Sequence, residues 1–214
     1  MDKNAIAALT QSDISSINSD LVKYLSAAQL KLFTPSQVSY FSAQQISKMT
    51  LEQLNSLSAL QVSSMSAAQI NALSEEQVSG IKATQFSAIN KNIFGNINAD
   101  LISSLTTAQV QALTTDQLKA LIEDQIKALG TNQIASLKAN QMAGFENADL
   151  EAFSTDQIVA LNATQITGLS VSQVSVLSSE QLAAIETLDI AGLTTAQVNA
   201  LNDEQISAFT VDQI

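Results

Sequence analysis

The chain has 214 residues, with 20 acidic residues against nine lysines and a formal net charge of −11, and it contains no cysteine, histidine or tryptophan. Because histidine and cysteine are absent, Ser–His and Cys–His catalytic pairs and imidazole or thiolate metal ligands are excluded. The acidic balance argues against nucleic acid and anionic membranes as partners, and no apolar run approaches the ~20 residues of a membrane span.

Two columns of large apolar residues run through the sequence at a period of eight. The first begins with Met1 and Leu9 and ends at Phe209, and the second lies five residues later, from Ile6 to Ile214. Each column holds 27 residues, and every one of them is apolar. A fixed short period over the whole length predicts one small unit repeated many times. We label the positions of this octad a to h, with the two columns at a and f.

Each octad carries a signal for the start of a helix. Position b is Ser, Thr, Asn or Asp in 21 of 27 octads and position e is Gln in 20 of 27. A Ser or Thr followed three residues later by Gln forms a capping box, and the apolar residues at a and f form a hydrophobic staple around it. Pro35, the only proline, stands at c, the first helical position, which favours proline. We therefore predict one helix of about six residues in each octad.

One continuous helix is excluded, because eight residues at ~100° each rotate an apolar stripe by ~80° beyond two full turns. Helices shorter than ~12–15 residues are marginal in water, so such short ones persist only by stacking on one another. We predict an all-α, elongated solenoid of very short helices over residues 1–214, as a fragment of a longer array. The alternative is a β-solenoid, which fits less well because Ala, Gln and Leu are plentiful.

Exceptions to the octad occur at positions e and h. The e column breaks at Asp13, Leu21, Ile93, Leu101, Asp149 and Asp189. These breaks are irregular turns or bends of the superhelix, or traces of old duplication, and the sequence leaves these readings open. Small residues at h indicate close approach of helices, and four of the six glycines stand there, where they also suit helix C-termini: Gly80, Gly144, Gly168 and Gly192.

Two groups of residues are candidate sites. Asp116, Glu123 and Asp124 are weak calcium candidates, because carboxylate oxygens are the ligands that calcium prefers. The competing and favoured interpretation is that these acids compensate helix dipoles. Tyr24, Leu32 and Tyr40 occupy h in three successive octads and form a candidate contact patch. Their place near the N-terminus favours instead a repacked end of the solenoid. No cofactor is expected.

The segment Leu105-Thr-Thr-Ala-Gln109 resembles the LTxxQ motif of a family of periplasmic chaperones, a similarity that we ascribe to shared capping chemistry. The tandem form over the whole chain is more similar to octad tracts of very large bacterial secreted and surface proteins, of adhesin-like or toxin-like kind. That resemblance implies a non-enzymatic role at the cell surface or outside the cell, although Met1-Asp-Lys-Asn4 shows no secretory signal.

Ser–Lys and paired-carboxylate chemistry are formally open, but the serines and acids occupy repeat positions, and we expect no enzyme. The sequence favours a structural spacer or display solenoid. The alternatives are a protein- or peptide-binding solenoid, which would concentrate exposed apolar residues on one face, and a filament subunit that self-associates through uncapped ends.

Overall fold

The computed structural model describes residues 2–214, and within that range it contains α-helices and 3-10 helices and no strand. The prediction of an all-α chain of very short repeated helices is confirmed, and the β-solenoid alternative is wrong. The chain divides into two compact units, one ending at Ala112 and the other running from Leu113 to Ile214. The expectation of a single solenoid that is part of a longer array stays a prediction.

The first unit contains twelve α-helices and two 3-10 helices within its described residues. The α-helices are α1 Lys3–Ala7, α2 Gln11–Ser15, α3 Ala27–Leu30, α4 Pro35–Ser39, α5 Ala43–Ser47, α6 Leu51–Leu54, α7 Ala59–Ser63, α8 Ala67–Asn71, α9 Glu75–Gly80, α10 Ala83–Phe86, α11 Ala99–Ser103 and α12 Thr107–Ala112. The 3-10 helices are η1 Ser19–Tyr24 and η2 Lys91–Asn96.

The second unit repeats this plan. Its α-helices are α13 Thr115–Leu118, α14 Glu123–Ala128, α15 Thr131–Ser136, α16 Ala139–Met142, α17 Asn147–Ala152, α18 Thr155–Val159, α19 Ala163–Gly168, α20 Val171–Ser175, α21 Ser179–Ala184, α22 Thr195–Val198 and α23 Asp203–Ser207. Its 3-10 helices are η3 Ile190–Gly192 and η4 Val211–Gln213. No helix among residues 2–214 has the length and apolar character that a membrane crossing requires.

The helices begin where the capping boxes predict. In α18, for example, the Ser154 hydroxyl accepts from the backbone N–H of Gln157 at 3.2 Å, and the Gln157 Oε1 accepts from the Ser154 N–H at 2.9 Å. In two octads where b is not a capping residue, the glutamine half of the box persists: the Ile122 N–H donates to Gln125 Oε1 at 2.9 Å and the Gly130 N–H to Gln133 Oε1 at 2.7 Å. The side chain at e thus starts the helix even without its partner at b.

Within each unit the helices stack in successive turns of a coil. Each helix packs against the helix three octads further along, as α4 does on α7 in the first unit and α16 on α19 in the second. Hydrogen bonds between turns join residues 25 to 31 positions apart. One turn of the coil therefore closes after between three and four octads, a quantity that the sequence alone does not give.

The two apolar columns form the core of each unit. The f residues are fully buried at Ile14 and Ile46 in the first unit and at Ile126 and Ile166 in the second. Phenylalanines in successive octads meet edge to face inside the second unit, where the rings of Phe145 and Phe153 are 5.3 Å apart. Among residues 2–214, these columns become exposed only in the last octads, at Val198, Ile206 and Ile214.

The small residues at h allow adjacent turns to approach closely, as predicted. A Cβ on Gly168 would lie 2.3 Å from the backbone oxygen of Ala139, and one on Gly192 would lie 2.2 Å from that of Ala163. The prediction that these glycines suit helix C-termini is confirmed, because Gly80, Gly168 and Gly192 are the last residues of α9, α19 and η3, although no glycine among the described residues has a positive φ. Space, and not backbone conformation, is what position h requires.

Three of the breaks in the e column coincide with 3-10 helices: η1 contains Leu21, η2 contains Ile93, and η3 follows Asp189. In η1 the Asn18 side chain accepts from the N–H two residues on, at 2.9 Å, where a capping box would bind three residues on. Asp13 instead keeps a complete capping box with Thr10, and Leu101 lies within the α-helix α11. Some breaks are therefore irregular turns and others leave the α-helix intact.

Candidate functional site

The most repeated polar feature of the fold is a set of glutamines that we call the glutamine ladder. Its members with described links to the preceding turn are Gln37, Gln45, Gln53, Gln61, Gln69, Gln77, Gln85 and Gln109 in the first unit and Gln141, Gln157, Gln165, Gln173, Gln181, Gln197, Gln205 and Gln213 in the second. Each of these side chains donates from its Nε2 to one or two backbone carbonyls one coil turn earlier, and all of them except Gln85 also cap their own helix.

Gln157 shows the full geometry of a ladder step. Its Nε2 donates to the carbonyl of Ile126, 31 residues earlier, at 2.9 Å and to that of Leu129, 28 residues earlier, at 2.7 Å. Its Oε1 accepts the Ser154 N–H on its own helix. The side chain is 3 % exposed. Since buried hydrogen-bonding groups are costly when unpaired, these bonds fix both the start of the helix and its register on the turn below.

Sequence reasoning predicted only the capping half of this role. The signal for the other half was in the sequence: Glu also completes a capping box and suits a helix N-terminus, yet no octad has Glu at e. A carboxylate has no N–H to donate, so the absence of Glu favours a donor at e, with Asp13, Asp149 and Asp189 as exceptions.

Two asparagines at g form a second link between turns, which the sequence did not reveal. The Asn55 Nδ2 donates to the carbonyl of Gly80 at 2.9 Å, and its Oδ1 accepts from the Lys82 N–H at 2.8 Å. The Gln85 Oε1, which would otherwise receive that N–H, is buried and without a partner. Asn71 repeats the arrangement on Asn96 and Asn98.

Two acidic residues replace the ladder glutamine inside the second unit. Asp149 is buried and accepts from the Glu146 N–H at 2.7 Å. Burial raises the pKa of the Asp149 carboxyl, outweighing the lowering by that backbone bond. Asp189 reaches the other way, and its Oδ1 accepts from the Ala163 N–H at 2.8 Å. The ladder is thus interrupted by acceptors at these two steps.

The candidate calcium residues lie on two successive helices, Asp116 on α13 and Glu123 with Asp124 on α14. Glu123 forms an ion pair with Lys127 one helical turn later, which lowers the pKa of the Glu123 carboxyl through that hydrogen bond and the charge of the lysine. Within residues 2–214 no group of three or more acidic, histidine or cysteine side chains is arranged to hold a metal ion. The calcium hypothesis stays a prediction that no preformed group of ligand side chains among the described residues supports.

The candidate contact patch is only partly exposed. Tyr24 is 73 % exposed on η1, where the Lys23 ammonium lies 5.3 Å from its ring centroid. Leu32 is 38 % exposed, and Tyr40 is half-buried at the end of α4. The contact-patch interpretation stays a prediction, with Tyr24 as its most accessible member.

Acidic charge is unevenly distributed along the chain. Residues 113–214 contain 13 acidic residues and three lysines, whereas residues 1–112 contain seven and six. No lysine occurs after Lys138. In the second unit Asp156, Glu180 and Glu204 stand at d on α18, α21 and α23, which pack in succession. This arrangement makes a row of exposed carboxylates across three turns.

A family model described as the ALTTAQ repeat matches residues 142–179 and 182–214. The second of these segments contains Leu193-Thr-Thr-Ala-Gln197, an octad start with the box residues and a ladder glutamine. No curated protein matches the chain. The chain therefore carries a tandem repeat tract that is similar to the ALTTAQ repeat over these segments, and the tract folds as repeated short helices.

Proposed function

We propose that the chain is a non-enzymatic structural solenoid, a spacer or display segment of a bacterial surface or secreted protein. The observation that carries this proposal is the glutamine ladder. The positions that define the repeat are a, b, e, f and h, and each of them serves the fold itself. Residues at a and f form the core, those at b cap the helices, the glutamines at e link successive turns, and the small residues at h allow close approach. A repeat whose defining residues all serve the fold is suited to maintaining a spacing.

The exposed surface supports a spacer over a peptide-binding solenoid. A binding face would concentrate the apolar exceptions at one octad position. The exposed ones instead stand at b, c, d, e, g and h: Ile122, Val171, Val211, Leu60, Leu188, Leu21, Val159, Tyr24 and Leu32. Leu101 is buried, and Leu51, Ile93 and Tyr40 are half-buried. This scatter leaves no single apolar column that a peptide would follow.

The non-enzymatic part of the proposal is supported by the way the reactive side chains are used. Ser154 and Thr114 cap helices, and Asp13 binds the N–H and the hydroxyl of Thr10 at 2.9 and 2.6 Å. A nucleophile needs an adjacent base, and an acid–base pair needs two facing carboxyls. Hydroxyls committed to helix N-termini supply neither arrangement.

The surface or secreted location is supported by the acidity of the chain and by its resemblance to octad tracts of large exported proteins. It is tested in the bacterium that makes the protein, by adding protease to intact cells. The proposal expects cleavage of this segment without lysis. Cleavage only after the cells are lysed would contradict it.

The spacer role is tested by comparing two triple variants of the full-length protein in that bacterium. Glu52→Gln, Glu76→Gln and Asp100→Asn change exposed side chains, and a spacer should retain presentation of the flanking parts at the cell surface. Gln157→Ala, Gln165→Ala and Gln173→Ala break the ladder and should abolish that presentation. Loss of function in the surface variant with an intact circular dichroism spectrum would favour a binding module.

A further inference from the structure

We propose that the junction before α10 is a two-state hydrogen-bond switch, in which the backbone N–H of Lys82 passes between the side chains of Asn55 and Gln85. We call the arrangement with Asn55 the strapped state and the arrangement with Gln85 the boxed state. The strapped state is the one that the structure contains. The inference concerns how the first unit holds its turns together and does not depend on the proposed role as a spacer.

In the strapped state the amide of Asn55 binds the backbone on both sides of the junction one coil turn later. Its Nδ2 donates to the carbonyl of Gly80 at 2.9 Å, and its Oδ1 accepts the Lys82 N–H at 2.8 Å. These two bonds tie the end of α9 and the start of α10 to the preceding turn.

Gln85 is in position to take over the same N–H. Its Nε2 donates to the carbonyls of Leu54 at 3.2 Å and Leu57 at 2.6 Å, so its amide group occupies the ordinary place on the ladder. In octads with a capping box, the Oε1 of a glutamine in that place accepts the N–H of residue b. The Gln85 side chain is 7 % exposed, and its Oε1 has no partner among the described residues. Because a buried acceptor without a donor is costly, this favours movement of the Lys82 N–H towards it.

The backbone angles at position b show that the two states differ by a small rotation. They are φ −58° and ψ 138° at Lys82, and φ −59° and ψ 137° at Asn98, where Asn71 forms the same strap. At Thr50 and Ser74, which have complete capping boxes, φ is −76° and −75° and ψ is 161° and 159°. Lys82 therefore needs a change of about 20° in each angle to reach the boxed state, a rotation that crosses no forbidden region.

The hydrogen bonds of the two states nearly balance. The strapped state has two bonds from Asn55 but leaves the Gln85 oxygen buried and unpaired. The boxed state pairs that oxygen and releases Asn55, which is half-buried, and Gly80, which is exposed, so both can bind water. A hydrogen bond exchanged with water contributes little net free energy, whereas an unpaired buried acceptor costs its desolvation. Release of Asn55 thus loosens the turn at this junction while the ladder bonds of Gln85 stay in place.

Asn71 forms the same strap without a second acceptor nearby at position e. Its Oδ1 accepts the Asn98 N–H at 2.8 Å, and its Nδ2 donates to the carbonyl of Asn96 at 2.8 Å. Position e of that octad is Leu101, whose side chain has no acceptor. The Asn71 strap therefore cannot switch, and it is the matched control for the strap of Asn55.

The test is backbone amide hydrogen exchange, measured by nuclear magnetic resonance, in Asn55→Ala and Asn71→Ala variants of the full chain. In Asn55→Ala the Lys82 N–H should keep its protection to within about threefold, because Gln85 accepts it. A scalar coupling should then appear from the Lys82 nitrogen to the side-chain carbonyl carbon of Gln85. In Asn71→Ala the Asn98 N–H should exchange at least about tenfold faster.

A further pair of variants separates the switch from a general loosening of the fold. Gln85→Leu copies the octad of Leu101 and removes the second acceptor. Adding Asn55→Ala to it should speed exchange of the Lys82 N–H at least about tenfold relative to Gln85→Leu alone. Circular dichroism checks the fold of each variant, and Asn55→Ala alone decides the question if Gln85→Leu does not fold. Loss of protection at Lys82 in Asn55→Ala, or protection without the coupling to Gln85, would overturn the proposal.

Discussion

A ladder glutamine joins two levels of structure with one amide group. Its oxygen accepts the N–H that begins its own helix, and its nitrogen donates to two carbonyls of the turn below, as in Gln157. Glu offers only the acceptor, and Asn is one methylene shorter. The repeated choice of Gln therefore follows from the need for an acceptor and two donors at a fixed reach.

Replacing Gln157 by Ala should cost more than the loss of a helix cap. The change removes the Nε2 donor from the carbonyls of Ile126, which keeps the Leu129 N–H, and of Leu129, in addition to freeing the Ser154 N–H. We expect the free energy of unfolding to fall by about 3–5 kcal/mol. The matched variant Ser154→Ala removes only the cap and should cost about 1 kcal/mol. Urea denaturation measures both, and equal losses would show that the ladder bonds contribute nothing.

Asp149 should contribute more to the stability of the second unit at low pH than at neutral pH. An ionised carboxylate there has no proton to give to the carbonyls of Leu118 and Leu121, which lie 31 and 28 positions earlier. Because burial raises its pKa in the folded state, its favourable contribution is present at low pH and is lost as the pH rises through that folded pKa. Asp149→Asn should thus stabilise the protein by about 1 kcal/mol at neutral pH, and the gain should shrink in acid.

Asp13 provides the control with the opposite sign. The hydroxyl of Thr10, followed by its backbone N–H, lowers the pKa of the Asp13 carboxyl. Its contribution is therefore present above the usual pKa of an aspartate and is lost as the pH falls through the lowered value. Thermal unfolding of Asp13→Asn and Asp149→Asn across pH 3 to 7, a range spanning the ordinary carboxyl pKa of about 4, should show opposite trends. Parallel trends would contradict this assignment of the two environments.

At the scale of the element, each helix is too short to be stable alone and takes its stability from the helices three octads away. The h position sets how closely they approach, which is why Gly168 faces the backbone of Ala139 without room for a methyl group. Two of the 3-10 helices, η1 and η2, begin differently. Where Leu21 or Ile93 stands at e, no side chain at that position accepts the first N–H, and asparagine at b binds the nearer N–H instead.

Gly168→Ala should separate α16 from α19 and destabilise the second unit by about 1–3 kcal/mol, because the added Cβ would lie 2.3 Å from a backbone oxygen. Gly130→Ala is the matched control. There the nearest atom to the added Cβ is Gln133 Oε1 at 3.7 Å, and the change should stay below about 1 kcal/mol. Thermal denaturation compares the two variants. A tolerated Gly168→Ala would mean that the turns are less closely packed than the structure has them.

Most element starts were predictable from sequence, because a capping box is a local pattern within four residues. The residue types at b and e placed the N-caps of α4, α18 and α22 correctly. The links made by Asn55 and Asn71 were not predictable, since they join residues 25 and 27 positions apart. No local pattern marks such a pair before the length of the coil turn is known.

At the scale of the whole molecule, sequence periodicity predicted stacking of short helices but not how many octads form a turn. That number depends on the angle at each junction, which packing decides. Only half of the role of the ladder glutamines was predicted from the sequence. Their capping of the helices was predicted, and the hydrogen bonds from their Nε2 atoms to the preceding turn were not. The uneven charge, by contrast, is a property of the sequence alone, with 13 of the 20 acidic residues after position 112.

This charge should make the chain more stable in salt. Screening reduces repulsion among exposed carboxylates, so the melting temperature should rise by a few degrees as ionic strength increases to about 0.15 M. The variant with Asp156→Asn, Glu180→Gln and Glu204→Gln should lose most of that rise. The control variant carries Glu52→Gln, Glu76→Gln and Asp100→Asn in the first unit, where lysines nearly balance the acidic residues. Its melting temperature should still rise with ionic strength as that of the unchanged chain does. Equal effects of the two variants on the salt dependence would contradict this account.

In the ladder, one glutamine side chain bonds simultaneously to its own helix and to the turn before it. The most direct measurement is nuclear magnetic resonance of the Gln157 side-chain amide in the intact chain, detecting scalar couplings across its hydrogen bonds. We expect couplings from Nε2 to the carbonyl carbons of Ile126 and Leu129, and slow exchange of both amide protons with water. An amide without these couplings that exchanges as fast as a free glutamine would contradict it.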